Sequence, residues 1–113
     1  MIPLSNINER FFMQEEFVLI TGPAIADGIP LNMRWRGDGT VLLNAYLGAG
    51  GGTATCTVTG NTSGGPTTTL VTFTLSGAND KASYIFDMEK WPILQGHITN
   101  IAGGALATLK AVI

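Results

Sequence analysis

Apolar and polar residues alternate in short runs along most of this chain. Ile29, Leu31, Met33 and Trp35 alternate with Pro30, Asn32, Arg34 and Arg36. Val41, Leu43, Ala45 and Leu47 share one side of the next run. Between Thr53 and Thr59, threonine fills every odd position, and Ala54, Cys56 and Val58 fill the even ones. Val71, Phe73 and Leu75 likewise oppose Thr72, Thr74 and Ser76. A period of two places these sets on opposite faces of β-strands. Trp35 therefore shares a core-directed face with Ile29, Leu31 and Met33.

Turn chemistry separates the runs. Phe17 to Thr21 ends at Gly22-Pro23. Asp38-Gly39 stands between two alternating runs and predicts a hairpin joining 29–36 to 41–47. Gly48 to Gly52, Gly60 to Pro66 and Gly77 to Asp80 supply further connections. Ser83 to Asp87 is a short strand, and 94–101 with 106–113 is expected to form a last hairpin around Ala102-Gly-Gly-Ala105. About eight strands at spacings of roughly 8–12 residues, with no helical period, predict an all-β fold. The expected architecture is an antiparallel β-sandwich of about eight strands, jelly-roll-like, over residues 17–113.

Residues 1–16 differ from the rest. They contain Pro3, Glu9, Glu15 and Glu16, show no period of two, and place Phe11, Phe12 and Met13 side by side. Two readings stand: an extended N-terminal arm carrying an apolar anchor, or an irregular lead-in that caps one end of the core. No basic stretch precedes an apolar one here, so no secretory signal is expected.

Charge sharpens the picture. Of 113 residues only 12% are charged, about half the usual share. From Gly39 to Asn79 no residue carries a formal charge. Such a surface is expected to meet neighbours rather than water alone, so an obligate assembly is expected. Arg34 and Arg36 could face acidic groups of a neighbour or simply be solvated. Six scattered basic residues do not form a phosphate-binding face, so nucleic acid is not an expected partner. The longest strongly apolar run, Phe17 to Ile20, is far below the ~20 residues of a membrane-spanning helix. The single cysteine, Cys56, has no internal disulfide partner and reads as a small buried hydrophobe.

Little chemistry can be assembled. His97 is the only histidine. A nucleophilic triad with Asp87 is conceivable but has no local signature, and an interface or surface role is the simpler reading. One histidine and one cysteine do not make a zinc site, and Asp87 with Glu89 is a thin calcium candidate. Neither an enzyme nor a cofactor is expected. Trp91 and Tyr84 are candidates for stacking on sugar rings, Trp91 being expected to be partly exposed.

The segment Trp91-Pro-Ile-Leu-Gln-Gly-His-Ile-Thr-Asn-Ile-Ala-Gly-Gly-Ala-Leu-Ala-Thr-Leu-Lys110 resembles the closing hairpin of small β-sandwich proteins in tailed-phage virions. The plan of a short polar arm followed by one Gly/Thr-rich sandwich is similar to that of head decoration (cement) proteins. The chain departs from that pattern at Gln95 and His97, where arginine is frequent. The resemblance implies a structural virion protein, built as a jelly-roll homotrimer, that binds across subunits of the major capsid protein. In such an assembly the arm residues Phe11, Phe12 and Met13, with Arg34 and Arg36 on the face opposite Trp35, are the candidates for the contact; the resemblance itself assigns no site residue. Another tail, collar or fibre component, or a carbohydrate-binding module, is the alternative.

Overall fold

The computed structural model describes residues 16–32, 40–61, 65–87, 91 and 93–112. The described residues form nine strands and no helix. They are β1 (Glu16–Gly22), β2 (Ala26–Asp27), β3 (Leu31–Asn32), β4 (Thr40–Leu47), β5 (Thr53–Asn61), β6 (Thr68–Ser76), β7 (Lys81–Asp87), β8 (Ile93–Ala102) and β9 (Ala107–Val112). One sheet has the order β1-β9-β4-β7, and the other β2-β8-β5-β6, with β3 also paired to β8. All pairings are antiparallel. Read as one interrupted strand, β2 and β3 complete the two four-stranded layers of a jelly roll.

The expected alternation sets what each strand buries. Val41, Leu43, Ala45 and Leu47 of β4 point inward, as do Ala54, Cys56 and Val58 of β5. Phe73 and Leu75 of β6, Leu94 and Ile98 of β8, and Ala107, Leu109 and Ala111 of β9 fill the space between. Burial raises the Cys56 thiol above its ordinary pKa. Thr55 and Thr57 of β5 and Thr72 and Thr74 of β6 point outward, and these two strands pair antiparallel as a hairpin.

Two expected hairpins are not hairpins. β3 pairs with β8 in one sheet, while β4 pairs with β7 and β9 in the other. The Asp38-Gly39 turn lies outside the described residues. Likewise β8 and β9 belong to opposite sheets, so residues 103–106 carry the chain across the sandwich. The reason is the same in both cases. Alternation fixes which face a strand buries but says nothing about which strand lies beside it. A third correction concerns Ile29, which is 85% exposed rather than core. Leu31 does pack against the core.

Glycine decides two close approaches. At Gly96 of β8, an added Cβ would sit 2.8 Å from Leu19 Cβ and 3.2 Å from Ile20 Cγ2 and Leu109 Cδ1. The two sheets meet there without room for a side chain. At Gly52, φ is +86° and a Cβ would fall 2.5 Å from the Ala102 carbonyl oxygen. This residue belongs to a brace of connections at one end of the sandwich. Gly48 N–H donates to Leu106 O at 3.0 Å, Asn79 N–H to Gly48 O at 3.1 Å and Gly77 N–H to Gly52 O at 2.9 Å. The β4–β5, β6–β7 and β8–β9 connections are thereby tied to one another.

Candidate functional site: two polar sheet faces

The sandwich presents two outer faces of different chemistry. On the β2-β8-β5-β6 sheet, strand register aligns His97 with Thr57 and with Asp27. Thr57 aligns in turn with Thr72, and Thr55 with Thr74. The Thr57 and Thr72 hydroxyls are 3.5 Å apart. Asp27 is the charged residue at the β2 border of this face; the β5 and β6 rows beyond it carry hydroxyls and no charge.

At that border a polar chain crosses three strands. His97 Nδ1 lies 2.7 Å from Asp27 Oδ1, and His97 Nε2 lies 2.9 Å from Thr59 Oγ1. With Nδ1–H donating to the carboxylate, Nε2 accepts from the Thr59 hydroxyl. That order is the one used in nucleophilic triads. The surroundings differ from such a site. The Asp27 side chain is 78% exposed against 18% for His97, and the chain lies on an open sheet face. Gln95 Nε2 donates to Gly28 O at 2.6 Å, and Gly28 N–H donates to Gly96 O at 2.8 Å. Together these bonds strap the two-residue β2 onto β8. The partner conceived for His97, Asp87, is instead at the end of β7 in the other sheet, opposite Thr40. Asp27 and Thr59 were not predicted. Their only sequence signal is the outward register of Thr59, since a two-residue strand shows no period.

The face of the β1-β9-β4-β7 sheet carries an open cleft of about 630 Å3, lined by Tyr46, Asn44, Lys81, Lys110, Ser83 and Glu16 among others. Lys110 Nζ sits 5.6 Å from the Tyr46 ring centroid, a cation–π distance. It is 3.9 Å from Glu16 Oε2. The Tyr46 hydroxyl and, after it, the Glu16 carboxylate hold the Lys110 ammonium above its ordinary pKa. The cleft thus gathers hydrogen-bonding groups around one aromatic ring.

The other residues singled out from the sequence are dispersed. Phe11, Phe12, Met13, Arg34 and Arg36 lie outside the described residues. Tyr84 is on the edge strand β7 and 43% exposed. Trp91 is half-buried and packs against the core, with its ring beside Gly60. Among the described residues no group of three or more His, Cys, Asp or Glu could hold a metal ion.

No protein-family model matches the chain, and no curated protein matches it. Its fold is similar to that of the SPBc2 prophage-derived protein YomS, known from a crystal structure, with a TM-score of 0.58. The two chains share the fold. The likeness covers 88% of this chain and 93% of that one, at 11% sequence identity. It therefore spans the sandwich as a whole rather than a shared hairpin.

Proposed function

We propose that this protein is a structural component of a bacteriophage particle, and within that class a head decoration (cement) protein. It would work by docking, not by turnover. Its sandwich would associate with copies of itself and bind across subunits of the major capsid protein on the assembled virion. The arm, expected over residues 1–16 and giving way to β1 at Glu16, would serve as the reaching segment, with Phe11, Phe12 and Met13 as anchors and Arg34 and Arg36 at the contact. The observation that carries this reading is the uncharged hydroxyl face and edge of β5 and β6. A surface with neither catalytic groups nor solvating charge is suited to burial against protein. The fold shared with a prophage-derived protein and the sequence resemblance to cement proteins favour the phage setting.

The test is binding to empty heads. The full chain is expected to co-sediment with purified heads and to decorate them in electron micrographs, and a chain lacking residues 1–14 is expected to lose binding while its sandwich still folds. Full-chain protein that leaves heads bare overturns the reading. A second reading, a glycan-binding module, is favoured by the Tyr46 cleft. It predicts glycan-array hits that Tyr46→Ala removes.

A further inference from the structure

Sheets leave edges, and the edges of this sandwich are not alike. β1 starts at Glu16 and is interrupted by a register shift between Val18 and Ile20. β2 and β3 are two residues each and lie between Pro23 and Pro30 or just beyond. β7 carries Lys81 and Asp87 at its ends. Shortness, bulges, prolines and charges are the usual protections against pairing with a further strand. β6 has less of this. It is nine residues long, borders the sheet and has no charge or proline. Its one irregularity is Leu70, skipped where Val58 pairs with Val71 and Thr59 with Thr69. From Val71 to Ser76 the strand runs regularly beside β5.

We propose that this stretch of β6 pairs antiparallel with β6 of a second copy of the chain, about a twofold axis near Phe73 and Thr74. The inference deepens the docking reading above and rests on it only for its setting. Three observations select a second copy as the occupant. First, a twofold antiparallel contact places each residue opposite itself or a close neighbour. An ionised side chain at the axis would meet its like, and none is present between Gly39 and Asn79; the Asp80 carboxylate, which accepts from Ser76 N–H at 2.9 Å, lies at the end of the strand and away from the axis. Second, the faces match. Antiparallel strands set same-face residues opposite each other, so Thr72 and Thr74 meet hydroxyls while Phe73 and Leu75 meet apolar side chains. Third, one threonine pair of this kind already spans β5 and β6, Thr57 and Thr72, with hydroxyls 3.5 Å apart. The contact would turn two four-stranded layers into one continuous sheet and close about four backbone hydrogen bonds, the Ser76 N–H being held by Asp80. Because the patch is isologous, two copies saturate it, and a trimer is not built around this edge.

The experiment is sedimentation of the full chain, alone and as charge variants. Thr72 and Thr74 point outward, so T72K/T74K and T72E/T74E leave the core untouched, and circular dichroism checks that both fold. The unaltered chain is expected to sediment as a dimer. Each variant alone is expected to dissociate at least about tenfold more readily, because like charges then face one another across the axis. An equimolar mixture of the two variants is expected to recover the dimer. A monomeric or trimeric unaltered chain, or a dimer indifferent to both variants, overturns the proposal. The measurement uses free protein, so its outcome is independent of whether heads are bound.

Discussion

Gly96 and Gly22 are both strand glycines with ordinary negative φ, yet alanine should have opposite effects at the two. At Gly22 an added Cβ meets nothing within 4 Å. Alanine there restricts the unfolded chain and should stabilise by about 0.4–1 kcal/mol. At Gly96 the same gain applies but the new methyl meets three side chains. The contacts at 3.2 Å are to Ile20 Cγ2 and Leu109 Cδ1, ends of side chains that can turn aside. The contact at 2.8 Å is to Leu19 Cβ, which is fixed to its backbone. Relief there requires the two sheets to part, and overpacking of this type costs about 1–3 kcal/mol. The net for Gly96→Ala is a loss of about 1–2 kcal/mol, so the two variants should differ by about 2 kcal/mol. At about 4–8 °C per kcal/mol for a domain of this size, their melting points should differ by roughly 10 °C. Thermal and urea unfolding followed by circular dichroism give both numbers, with unchanged m-values expected. Leu109→Ala in the Gly96→Ala background should lower stability further, because it leaves the Leu19 contact in place and empties a fully buried position, at about 2–5 kcal/mol. If Gly96→Ala melts within about 2 °C of Gly22→Ala, the close approach of β8 to β1 is not as described.

Three further outcomes are expected. Thr21 and Thr108 share a hydroxyl hydrogen bond of 2.9 Å, with Thr108 buried; Thr21→Val should cost about 1 kcal/mol, and Thr21→Val with Thr108→Val should cost less than the sum of the singles, because no polar group is then left unpaired. His97→Ala and Asp27→Ala should each cost about 0.5–1.5 kcal/mol and the double variant no more than the larger single, since both remove the same bond; hydrogen exchange at Asp27 and Gly28 should quicken in each. Burial raises the Cys56 thiol, so the native state keeps its proton after the unfolded chain has lost its own. That contribution is full below about pH 8.5 and falls away as pH rises further. Urea titrations from pH 8 to 10 should show a decline that Cys56→Ala lessens, and iodoacetamide should label Cys56 only in unfolded protein.

What the sequence makes legible depends on length. β4, β5 and β6 run for eight or nine residues, long enough for their period of two to name every inward side chain. β2 and β3 are too short for any period, so Ile29 reads as core although it stands in solvent. Pairing is less legible still. Thr59, Asp27 and His97 converge although Asp27 and His97 are 70 positions apart. Nothing local in either segment announces the other. The Tyr46 cleft has the same character: Tyr46 is readable as an outward residue of β4, but Lys110 and Lys81 reach it only because β9 and β7 flank that strand. The Gly-Gly at 103–104 is read as a turn from composition, and its composition is equally compatible with a crossing between layers.

The placement of β9 has a consequence for biosynthesis. It lies between β1 and β4, and Glu16 is aligned with Val112. An emerging polypeptide can zip β5 onto β6 early, yet half of the sandwich has no central plank until β9 itself has been translated. Until then β1 has no neighbour in its sheet and β4 has only β7, so their greasy sides stay uncovered, a state that invites clumping. Yield in a heterologous host should therefore hinge on chaperones that shield nascent chains, and premature stop codons even a few positions before β9 should leave only insoluble material.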